Sequence, residues 1–76
     1  MTMYEVWNDQ TGNRIGGELR TLADAEALLQ TMLRVNGSQV VSGLAIIAWR
    51  PNADGTYEPE TVVEGAEFAA RHPTTA

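Results

Sequence analysis

The amino-acid sequence predicts an α+β fold: a four-stranded antiparallel sheet from two β-hairpins (ββαββ), one main helix and a short C-terminal helical segment. Two observations carry that prediction. Two extended stretches rich in β-branched and aromatic residues each run into a Gly-containing turn and a second extended stretch. Between the hairpins lies a run whose apolar residues recur at spacings of three and four, the period of an amphipathic helix.

Met3 to Asn8 reads as the first strand. Asp9-Gln10-Thr11-Gly12 follows, with Asp placed to cap a type I turn and Gly where the chain passes through positive φ. A second strand covers Asn13 to Leu19, and its Gly16-Gly17 pair predicts a bulge or a close backbone approach. Thr21 is a helix N-cap, with Asp24 as the acidic member of a capping box. Leu22, Ala25, Leu28, Leu29, Met32 and Leu33 then form the apolar stripe of a helix over 22–35, which Asn36-Gly37 ends.

Gln39 to Arg50 reads as one long strand, closed by the turn Pro51 to Gly55. That turn either repeats the first, through Asn52 and Gly55, or is a tight type I′ turn at Asp54-Gly55. Thr56 to Val63 is the return strand, and Pro59 places it at a sheet edge, because proline donates no ladder hydrogen bond. Val63 to His72 reads as a strand end followed by one or two helical turns anchored by Phe68. Residues 1–72 are expected to form one α+β domain and 73–76 a disordered tail.

Composition narrows the function classes. A chain of 76 residues buries only about 60% of its unfolded surface, so stability must come from packing, shared or not with a second chain. Cysteine is absent, which excludes a disulfide framework, a thiolate zinc site and a cysteine nucleophile. Ten Asp and Glu face five Arg and no Lys, and the arginines are scattered. Nucleic acid is therefore not an expected partner, since affinity for phosphate backbones depends on clustered cations. No apolar run reaches the roughly 18 residues of a membrane span, so no membrane partner is expected. The opening residues carry no secretory pattern, and together with the missing cysteines this points to a cytoplasmic setting.

The search for chemistry returns no catalytic residue, cofactor site or metal site. His72 is the single histidine, beside Pro73 and far from any second ligand. Glu58 and Glu60, and Glu64 and Glu67, have spacings that suit acid/base pairs, but they lie in the most polar part of the chain and read as solvated faces. Asp9, Asn13, Asn52 and Asp54 fit turn chemistry without the alternating pattern of a calcium loop. Ser38 and Ser42 have no neighbouring base, and the glycines lack phosphate-loop spacing. The expected class is non-catalytic.

One mismatch points to function. The strand ending at Trp49 is apolar on both alternating faces, as is the first strand, with Tyr4 and Val6 on one side and Met3 and Trp7 on the other. One helix covers one face. Either the segment around Phe68 folds over the other, or a second chain does. The expected interface residues are Met3, Trp7, Leu44, Ile46 and Trp49, although strand parity forces part of this set into the core.

The run Tyr4 to Gly16 with its Asp-x-x-Thr-Gly-Asn turn, the helix start Thr21 to Leu29 and the ending Val63 to Phe68 resemble small uncharacterised bacterial ββαββ proteins. The opening is also similar to the HicB-like antitoxin arrangement of two strands and a Thr-capped helix, without that family's proline- and glycine-rich segment. The sequence thus leads to a protein-interaction module that pairs as a homodimer or binds another protein. The alternative is an antitoxin or inhibitor that meets a toxin or nuclease through its acidic surface.

Overall fold

Strand-forming residues in the computed structural model, which describes residues 2–72, pair as the alternation requires. The strands are β1 (Met3–Asn8), β2 (Asn13–Leu19), β3 (Leu44–Pro51) and β4 (Tyr57–Glu64), and the helices are α1 (Leu22–Asn36), α2 (Ser38–Val41) and α3 (Gly65–Arg71). The sheet order is β2-β1-β3-β4 with every pair antiparallel. β4, which carries Pro59, is an edge strand. The expected tail, 73–76, lies outside the described residues.

Local chemistry sets the element ends. Thr21 Oγ1 accepts a hydrogen bond from the Asp24 amide at 3.1 Å, satisfying one of the orphan donors of α1. At the other end Gly37 has φ +90° and donates its N–H to the Leu33 carbonyl at 3.0 Å. The first hairpin turn is capped one residue earlier than expected. Asn8 Oδ1, not Asp9, accepts from the Gln10 and Thr11 amides at 2.9 and 3.2 Å. The second turn is different in kind. Asp54 Oδ1 holds Thr56 through its amide and hydroxyl, and among the described residues none other than glycine has positive φ, which excludes a type I′ turn at Asp54-Gly55. Gly55 donates its N–H to the Asn52 carbonyl three residues back, whereas Gly12 donates to the Asn8 carbonyl four residues back, so the two hairpins do not share a turn.

The glycine pair in β2 does both things expected of it. Tyr4 pairs with Leu19 and Val6 with Ile15, so β2 carries two more residues than β1 across that interval. Gly16 also lies so close to α1 that a Cβ would stand 2.7 Å from Leu28 Cδ2.

One sequence expectation is corrected here. Gln39 to Arg50 is not a continuous strand: Ser38–Val41 is a turn of helix, Ser42 and Gly43 form a turn, and β3 begins at Leu44. Val40 and Val41 favour strands intrinsically, but Val41 is fully buried beneath α1 and α3 in this conformation. Burial outweighs a propensity difference of a few tenths of a kcal/mol.

All three helices sit on one face of the sheet. Val6, Leu44, Ile46 and Val63 from the strands meet Ala25, Leu29 and Leu33 of α1, Val41 of α2 and Phe68 and Ala69 of α3. Gly65 makes this closure possible. A Cβ there would fall 1.8 Å from the Val41 carbonyl oxygen and 2.4 Å from that of Leu44. Gly65→Ala is therefore expected to cost about 3 kcal/mol or more through forced backbone separation. Gly43→Ala, with its nearest neighbour at 3.5 Å, should cost about 1 kcal/mol or less. Urea unfolding of the two variants measures the difference, and equal costs would refute the close-packing account.

Candidate functional site

Because Val6 and Ile46 point into the core, the residues between them in the alternation point the other way. Met3, Glu5 and Trp7 of β1 stand opposite Trp49, Ile47 and Ala45 of β3. On the outer strands, Trp7 also faces Arg14, and Thr61 and Glu64 face Ile47 and Ala45. Among the described residues, no helix crosses this face.

At its centre is a buried carboxylate. Glu5 is 6% exposed. Its Oε1 accepts from the Trp49 indole N–H at 2.6 Å and from the Trp7 indole N–H at 3.1 Å. Its Oε2 takes the Arg14 guanidinium at 2.6 Å. Burial alone pushes this carboxyl upward, since desolvation disfavours its charged form. The hydrogen bond from Arg14, then those from Trp7 and Trp49, outweigh burial, and the net pKa lies below its ordinary value of 4.5. Arg14 is raised in turn, by its hydrogen bond to Glu5 first.

Around this hub the side chains leave an open hollow of about 390 Å³, lined by Met3, Glu5, Trp7, Arg14, Glu18, Trp49 and Tyr57. The lining is mainly apolar, with Glu5, Arg14 and Glu18 as its charged members. Met3, Trp7, Ile47 and Trp49 are each half-buried, and Tyr57 is exposed at the rim.

The structure brings together three of the five interface candidates, Met3, Trp7 and Trp49, in this hollow. Leu44 and Ile46 are corrected: they are 1% and 0% exposed, on the opposite side of β3 among the core residues, and have no surface to offer a partner. Glu5, Arg14, Glu18 and Tyr57 were missed. The signal for Glu5 is the alternation, which places it in the row of Met3 and Trp7.

Of the remaining sequence candidates, Glu64 stands on this face opposite Ala45, while His72 and Glu60 have their contacts elsewhere. His72 is exposed and stacks on Phe68 with ring centroids 4.4 Å apart. Glu60 pairs with Arg50 at 3.0 Å on an exposed stretch. Among the described residues no group of three or more His, Asp or Glu side chains is gathered to hold a metal ion. No helix there is long and apolar enough to cross a membrane. No family model, curated protein or solved structure matches the chain.

The depressed carboxyl has a consequence for stability. A folded pKa below the unfolded value means that Glu5 stabilises the fold above pH 4.5 and loses that contribution as pH falls through the folded pKa. Glu5→Gln is expected to cost about 1–2 kcal/mol at pH 7, less than the upper range for charged hydrogen bonds because the Arg14 end lies half in water. The gap between wild type and variant should shrink below pH 4.5. Urea midpoints at pH 7 and pH 3 check this, and a gap of constant size would mean that the carboxyl is not held ionised.

Proposed function

We propose that this chain is a non-catalytic protein-interaction module that docks through the helix-free face of its sheet, onto a second copy of itself or onto another protein. The supporting observation is the placement of α3. Phe68 closes the same core as α1, so the one internal segment expected to seal the second face is used elsewhere. Met3, Trp7, Ile47 and Trp49 are left half-buried and contiguous across β1 and β3. Large contiguous apolar patches on small proteins mark association sites.

A second reading is favoured by the charge of that face. Glu5 and Glu64 stand on it by strand register and Glu18 lines its hollow, while Arg14 is the guanidinium beside them, ion-paired to Glu5. Two such faces stacked on one another would oppose like charges. A basic partner suits the surface better, as it would for an antitoxin or inhibitor that covers a cationic site on a toxin or nuclease.

Sedimentation velocity of the pure chain separates self-association from heterologous docking. Met3→Lys and Ile47→Thr change the open face while leaving the helix-covered core in place. In a homodimer both variants should shift the chain to monomer. In a heterologous complex the wild type is monomeric alone, and both variants lose the proteins that it retains in pull-downs from its native host. A monomeric chain whose pull-downs are the same with and without the substitutions would sink the docking face.

A further inference from the structure

Ring faces are electronegative, so aromatic walls beside an unmatched carboxylate attract cations that carry an apolar stem. The hollow on the open face has this make-up. Trp7, Trp49, Tyr57 and Met3 supply the walls, and Glu5, Arg14 and Glu18 the polar margin. Glu5 is already satisfied, accepting from both indoles and from Arg14. Glu18 is not. It lies exposed on the rim, and the two ion pairs among the described residues are Arg14 with Glu5 and Arg50 with Glu60. Glu18 feels the Arg14 guanidinium only through space, behind the closer Glu5, so the hollow carries two carboxylates against one guanidinium. Glu64, opposite Ala45, adds a further carboxylate on the same face.

The walls are also held in place. Both indoles donate to one buried carboxylate oxygen, which ties a ring from β1 and a ring from β3 to a single point. A ligand meeting them spends little on ordering side chains.

Resting on the docking reading above, we propose that this hollow is the seat of a cationic side chain, arginine or lysine, from a basic partner segment. The aromatic walls take the aliphatic stem, and the charged head lies against ring faces with Glu18 as its counter-charge. Charge complementarity selects the occupant. The chain carries a net charge of −5, and a second copy would bring more carboxylates to a face that already has a surplus.

The test titrates the full chain with capped Gly-Arg-Gly, Gly-Leu-Gly and Gly-Glu-Gly peptides while following the indole N–H resonances of Trp7 and Trp49. The arginine peptide should shift both resonances saturably and more weakly at high salt, and the other two should leave them in place. Glu18→Gln and Tyr57→Ala, both at exposed positions outside the core, should each weaken the arginine peptide about two- to fivefold. A leucine peptide that binds as well as the arginine peptide overturns the cation seat and leaves the docking face standing, since that face is judged by Met3→Lys and Ile47→Thr. Arginine binding untouched by both Glu18→Gln and Tyr57→Ala also overturns it, as does the absence of any response.

Discussion

Val6 and Ile46 face each other across β1 and β3, and their shared burial beneath α1 and α3 sets the use of every other residue on those strands. Side chains alternate along a strand, so placing Val6 in the core obliges Glu5 and Trp7 to leave it. Each buried side chain of this size is worth about 1.5–3 kcal/mol, which makes a one-residue slip of either strand prohibitive. The composition of the open face is thus a by-product of how the closed face is packed. It is also where the chain keeps its unusual chemistry.

Glu5 shows how that open face remains ordered without a covering element. A buried carboxylate is costly unless its oxygens are satisfied. Three donors from three positions satisfy this one: Trp7 two residues along its own strand, Trp49 diagonally across on β3, and Arg14 diagonally across on β2. The contacts join the central pair of strands and the β2 edge on the side that no helix among the described residues touches. No buried side-chain polar atom among the described residues is left unpartnered, so the network is complete rather than half-made. Two indoles and a guanidinium are thereby tied to one carboxylate on the open face, which supports the proposal that another molecule docks there.

Much of the architecture was legible because it rests on local rules. The helix stripe from Leu22 to Leu33, the Thr21 cap, the Gly37 stop, the turn glycines and the edge position of the Pro59 strand all follow from contacts within a few residues. Where reasoning from sequence failed, the deciding contact was remote. Val40 and Val41 look like strand, yet they sit in α2 because Val41 fills a gap between α1 and α3. Leu44 and Ile46 look like interface because half of an apolar strand must be exposed. Which half depends on the register against Val6.

By itself, then, the sequence determined the element types, their order and the surplus of apolar strand surface over what one helix can shield. Periodicity, capping and turn chemistry are short-range and act wherever their residues occur. Only the tertiary structure decided which side of β1 and β3 is core, that α3 joins α1 on that side, and that Glu5 gathers Trp7, Arg14 and Trp49 into one site. Those outcomes depend on pairings such as Glu5 with Trp49, 44 residues apart in the chain. Strand register and helix docking create such pairings, and alternation alone assigns equal status to both faces of a strand.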